Sequence, residues 1–281
     1  MKEEKTVLTK KKSNDKGKSE KNKKSVTTKK SLLKTFCLII MLLIFVGATT
    51  IASQLLVGYA MIFILGPTNF ARTIPMAIYS ALSYILATVF VVVVPRKIYR
   101  RWVLKDTSAR GKGELKREIG LTDLPTWTDL GLAPIAFILS LLLAAGLVWF
   151  FSLFPWFNAE EVQSVGFNTY APGLDRIIAF IVLVVVAPIF EEIIFRGWLY
   201  GRIRKMLSDK MAEIAGIVLA NFLVSLLFGI VHLQWNVGIN VFALSVVLCA
   251  LREITGTIHA GIITHMIKNG VAFYLLYVLG M

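Results

Sequence analysis

Apolar residues in this chain run in long unbroken stretches separated by short polar ones, without the alternation of a half-buried strand. Residues 35–66, 73–94, 132–154, 174 to about 207, 211–233, 237–251 and 257–279 are dominated by Leu, Ile, Val, Phe and Ala. Runs of about 20 such residues cross the hydrocarbon core of a bilayer as a helix. A helix satisfies its backbone polar groups within itself, as that environment demands. The pattern therefore predicts an all-α fold, a polytopic membrane helical bundle of about seven transmembrane helices, six and eight being the bounds. The first run is ambiguous: as one helix it would be about 48 Å long, so it must tilt, break near Gly47, fold as a hairpin or lie along the interface. Pro95 should stop the second span. Pro188 should kink the fourth and free the Val184 carbonyl from its helical bond.

Composition agrees with the pattern: 281 residues, 56% hydrophobic, mean hydropathy +0.70. Charge refines it. The formal net charge of +14 is local, because residues 1–34 hold thirteen lysines against Glu3, Glu4, Asp15 and Glu20. That segment has no apolar periodicity and is expected to be a disordered polybasic tail. Residues 35–281 form the membrane domain. Beside a membrane helix such a tail contacts anionic lipid and fixes orientation, a reading preferred over a nucleic-acid arm. Residues 96–118 carry nine Lys or Arg against three acids, and Arg202, Arg204, Lys205 and Lys210 make a second basic turn. Residues 158–173 contain Glu160 and Glu161 and no base. The alternation places a multi-pass protein in the cell membrane with its N-terminus cytoplasmic. Cys37 and Cys249, both in apolar segments, suggest neither a disulfide framework nor a Cys-rich metal site.

Against this background a few ionisable residues stand out, since those retained in a membrane interior usually mark a function. Glu191, Glu192 and Arg196 close the apolar run of the fourth span. The three histidines are His232, which ends Phe228-Gly-Ile-Val-His232; His265, which opens His265-Met-Ile-Lys-Asn269; and His259. Residues four apart share a helix face, so Glu192 can pair with Arg196, and Asn269 lies beside His265. Glu191 is rotated by about 100° from Glu192, and the two carboxylates cannot share one role. A Glu in an apolar site can act as general base on water, a neighbouring His can assist, and a second His with an Asn amide can stabilise an oxyanion. Glu191, His232 and His265 could instead hold a zinc ion, although Asn is a poor zinc ligand. A proton-coupled transporter using the same groups is a weaker option. Among the remaining polar residues, His259 reads as a satisfied interhelical hydrogen bonder, Trp198 and Tyr200 as interfacial anchors, and Asn221 and Ser225 as interhelical links. Lys268 is expected to snorkel or to pair with Glu253.

Glu191-Glu-x-x-x-Arg196, Phe228-x-x-x-His232 and His265-x-x-x-Asn269, in order on successive apolar segments, resemble the three motifs of the CPBP family. These are the CAAX-processing and bacteriocin-processing intramembrane proteases, also called Abi or type II CAAX endopeptidases. Phe195-Arg-Gly-Trp-Leu-Tyr200 and Leu251-Arg-Glu-Ile-Thr-Gly256 are also similar to family members. The motifs lie within residues 187–273. The resemblance implies an intramembrane endopeptidase cutting a peptide bond near the C-terminus of a membrane-associated protein or peptide. Carried over by position, Glu191 activates the water, His232 assists, His265 and Asn269 form the oxyanion site, and Glu192 and Arg196 support them. Family members are read both as zinc metalloproteases and as metal-free, glutamate-dependent enzymes, and Lys268 stands where an apolar residue is expected. Peptide, bacteriocin-related or signalling-peptide substrates fit better than a prenylated one. The alternative is a non-catalytic bacteriocin-immunity or scaffold protein of the same fold. A hairpin turning near Ser208 would leave Glu191 and His232 about 10 Å apart along the axis unless the turn lies nearer Ala212.

Overall fold

The computed structural model describes residues 2–103, 111–159, 173–208 and 210–280, and for residues 2–30, 103 and 111–112 the backbone alone. The chain forms two compact units, residues 1–42 and 43–281. Helix α1 (Lys2–Leu65) begins in the first unit. The backbone of residues 2–30 is helical where composition predicts disorder; lysine is a fair helix former, and a helix nucleated by an apolar run propagates at little cost. Residues Ser31–Leu65 of α1 form the first of seven helices, among the described residues, that are long and apolar enough to cross a membrane. The first span is therefore one unbroken helix, neither broken at Gly47 nor folded as a hairpin.

The others are α2 (Thr73–Trp102), α4 (Trp127–Phe151), α5 (Leu174–Ser208), α6 (Glu213–Ile230), α7 (Trp235–Thr255) and α8 (His259–Leu279). A short amphipathic helix, α3 (Gly111–Ile119), precedes α4. The acidic loop with Glu160 and Glu161 lies outside the described residues. Pro95 does not stop the second span. A wide π turn, Val89–Val93, comes just before it, with the Val94 N–H bonded to the Val89 carbonyl, and this register absorbs the missing proline donor.

Within the second unit α7 packs between α4 and α6, α8 packs on α4 and α5, and α2 lies along the first half of α5. Glycine permits the closest of these approaches: a Cβ on Gly229 of α6 would lie 2.8 Å from the Gly238 carbonyl of α7. Nearby, the Asn221 amide donates to the Val246 carbonyl at 2.9 Å, an interhelical link as expected, whereas the Ser225 hydroxyl donates to Asn221 at 3.1 Å one turn away within α6 itself. On the basic side, Arg96 of α2 is ion-paired with Glu118 and, at 3.3 Å, with Glu114 of α3. His259 donates through Nε2 to the Asp123 carbonyl at 2.7 Å, which satisfies it structurally. Thr126 and Asp129 start α4 with a reciprocal capping box.

Two expected surface residues are core residues. Trp198 and Tyr200 are buried, because the end of α5 is covered by α3, α6 and α7, and the Tyr200 hydroxyl donates to Glu253 at 2.7 Å. Glu253 also receives Arg204 at 3.2 Å, so it is not the partner of Lys268. Both cysteines are free thiols, Cys249 buried and Cys37 exposed.

Candidate active site

The fourth span is not a regular α-helix on either side of Glu191 and Glu192. Two π-helical stretches, Ile181–Val186 and Ile193–Tyr200, flank the segment Ala187–Glu192, and such insertions concentrate at functional sites. In the π register the Ala187 N–H reaches the Val182 carbonyl, five residues back. The next donor in that register would be residue 188, a proline without an N–H. The carbonyl left free is thus that of Leu183, not Val184, and the Asn269 amide of α8 donates to it at 2.9 Å. A gap in one helix is closed by a side chain of another, and this joint fixes Asn269 at the wall of the site.

Glu191 and Glu192 part as their 100° separation requires. Glu192 and Arg196 have no exposed surface and form an ion pair at 2.9 Å. The Arg196 guanidinium also lies 4.3 Å from the centre of the Phe228 ring, a cation–π contact. The Glu192 oxygen that holds Arg196 also accepts from His265 Nδ1 at 3.0 Å. Gly261, one turn before His265, leaves room for that carboxylate: a Cβ there would stand 3.2 Å from Glu192 Oε2. Arg196, Glu192 and His265 therefore form a buried chain that orients the imidazole, as a carboxylate orients histidine in other catalytic sites. The far nitrogen of His265, Nε2, lies 3.7 Å from Glu191 Oε2.

Glu191 is turned into a cavity of about 440 Å³ lined also by His232, His265, Lys268 and Asn269. Its Oε1 accepts a 2.6 Å hydrogen bond from the Tyr84 hydroxyl of α2. Thr50, Gln54 and Ser80 add polar groups to the wall contributed by α1 and α2. His232 sits in the turn just beyond α6, where its Nδ1–H donates to the Phe228 carbonyl at 2.7 Å. A carbonyl can only accept, so Nε2 carries the lone pair. Burial pushes the His232 pKa down from its ordinary value; the charge of Glu191 and the Phe228 hydrogen bond oppose that shift, and Lys268 and His265 reinforce it. The Phe228 ring is in edge contact with His232 and His265, with centroids 5.0 and 6.0 Å apart, and spaces the two imidazoles. Leu233, next to His232, holds φ at 58°, an uncommon backbone for a leucine.

The four residues expected to be catalytic thus line one cavity, with Glu192 and Arg196 behind it. Helix α5 ends at Ser208 and α6 starts at Glu213. The turn's midpoint places Glu191 level with about Ile230, roughly 3 Å short of His232 along the axis. A larger cavity of about 600 Å³ between α4, α6 and α7 is lined by apolar side chains with Gln234 and no ionisable group, whereas the smaller one holds the expected site residues. As a metal site the set fits poorly: among the described residues no three His, Cys, Asp or Glu are grouped to hold an ion. His265 Nδ1 and one Glu191 oxygen are engaged by Glu192 and Tyr84.

Sequence reasoning missed Tyr84. A faint signal exists, since Ser80, Tyr84 and Thr88 repeat every four residues along a mostly apolar span, but nothing in that spacing points to Glu191.

Residues 173–271 match the family described as Type II CAAX prenyl endopeptidase Rce1-like. That segment contains the Glu191, His232, His265 and Asn269 cluster and excludes Tyr84 and the first three spans. No curated protein and no solved structure matches the chain. The described residues hold seven helices long and apolar enough to cross a membrane, four of them starting within the matched segment, and this is a membrane protein whose residues 173–271 are similar to the Rce1-like type II CAAX endopeptidases, consistent with the CPBP family.

Proposed function

We propose that the protein is an intramembrane endopeptidase in which Glu191 activates water to cut a peptide bond near the C-terminus of a membrane-associated protein or peptide. The observation that supports this most is the meeting of Glu191, His232, His265 and Asn269, from three separate elements, at one cavity. A water between Glu191 Oε2 and the His232 lone pair gives up a proton to the carboxylate. Its oxygen bonds to the scissile carbonyl carbon, and the carbonyl oxygen takes the negative charge. Asn269 has a second amide N–H to offer that oxyanion beyond the one given to Leu183. His265 donates through Nε2 when doubly protonated, with Glu192 as counter-charge. The C–N bond then breaks as Glu191 returns the proton to the leaving nitrogen. Tyr84 holds Glu191 in place, and Arg196 and Glu192 hold His265. The same proposal places the N-terminus in the cytoplasm, with the lysines of residues 1–34 against anionic lipid.

The test compares membrane proteomes and reconstituted peptide cleavage for wild type, Glu191→Gln and His232→Ala. Loss of the general base should slow cleavage by about 10²- to 10⁴-fold in a protein that still folds. Full biological activity in both variants would rule out the hydrolytic reading in favour of binding.

A further inference from the structure

Lys268 is a charged group of the cavity that the mechanism leaves unused. It sits on α8 between His265 and Asn269, and its side chain lines the same space as Glu191 and His232. Among the described residues no carboxylate pairs with its ammonium and no hydrogen bond engages it. The negative charge that acts on it is that of Glu191, which lines the same cavity. A lysine within a membrane span is costly and usually faces a pathway or a partner. Here the two charges face each other across open space, one already held by Tyr84, the other free.

This polarity orients any occupant. An anion is repelled from the Glu191 side and drawn to Lys268, so a peptide carrying a negative charge binds with that charge at α8 and a neutral carbonyl towards Glu191. We propose that Lys268 is a carboxylate-binding residue of the substrate site, and that the distance from it to Glu191 sets which bond is cut. Two sources supply a carboxylate: the free C-terminus of the peptide, or an Asp or Glu side chain near that end. The inference deepens the endopeptidase reading, but binding does not require that the chain cut anything.

The experiment measures binding to full-length Glu191→Gln protein in nanodiscs, where no turnover removes the ligand. Apolar octapeptides of mixed sequence are made as free acids, as C-terminal amides, and as amides with a penultimate Glu. A charge-assisted contact predicts acids binding about 10- to 100-fold tighter than plain amides, and the Glu-bearing amides show whether a side chain serves equally. Lys268→Met should bring the acids down to the level of the amides, and Lys268→Arg should keep the gap. Equal binding of all three series, or a gap that persists in Lys268→Met, overturns the proposal. If Lys268 only balances the charge of the cavity, its loss moves acids and amides together, which also overturns it. The acid–amide comparison needs no change at Lys268, so a Lys268→Met that fails to fold does not spoil the test. A clear gap in a chain that cleaves nothing would sink the protease reading and leave the carboxylate site standing.

Discussion

The pair Glu191–Glu192 shows how little separates a cavity-facing carboxylate from a structural one. Adjacent in sequence, one lies at 15% side-chain exposure in a polar cavity and the other at 0% against Arg196 and His265. Burial without water explains the difference in partners: a buried carboxylate persists only when paired, and Glu192 is paired twice. Glu191 needs an unpaired oxygen for water, and Tyr84 occupies only the other one. Replacing Tyr84 with Phe removes a hydrogen bond to a charged group, worth about 1.5–3 kcal/mol, so cleavage should slow about 10- to 100-fold. The loss should fall on kcat with KM little changed. An unaltered kcat would mean that Glu191 is positioned without α2.

At the scale of elements, the site depends on where helices depart from regular geometry or come unusually close. The π stretches of α5 create the Leu183 carbonyl that Asn269 caps, so the irregularity of one helix specifies the placement of another. At the α6–α7 crossing Gly229 and Gly238 bring backbones into contact three residues before His232. Gly229→Ala would press a methyl onto a carbonyl that cannot swing away. It should destabilise the fold by about 1–3 kcal/mol, read as a lower midpoint of thermal unfolding in detergent. Cleavage should fall further than that loss of folded protein explains, because His232 moves with the end of α6. Unchanged stability would show that the crossing has slack.

At the scale of the whole molecule, the titration of His232 ties folding to pH. Its pKa is depressed in the folded chain and near the ordinary value of about 6.5 when unfolded. Between those values the unfolded chain binds a proton that the folded one does not. Stability should therefore fall as pH drops below about 6.5 and hold above it. Glu191, Lys268 and His265 face the imidazole and share in the balance, with Glu191 opposing the shift and the two bases reinforcing it. His232→Ala should flatten this acid limb, measured as the unfolding midpoint between pH 5 and 7.5. A limb of equal steepness in the variant would assign it to other groups. The cavity is also a product of the whole chain, since α1 and α2 supply Thr50, Gln54, Ser80 and Tyr84 opposite the family motifs.

Hydropathy by itself determined the membrane class and the seven spans, because spanning a bilayer is a local demand that each segment meets alone. Motif spacing determined which face of each helix carried Glu192, Arg196, His265 and Asn269, because helix periodicity is local too. Tertiary structure alone decided the rest. Helix α2 runs through Pro95 because a π turn precedes it. Trp198 and Tyr200 are core residues because three helices cover them. Lys268 shares a cavity with Glu191 because α8 packs along α5. Tyr84 belongs to the site because α2 lies along α5. Each of these depends on which distant surface arrives at a given side chain, and the short-range periodicity of a sequence carries no such information.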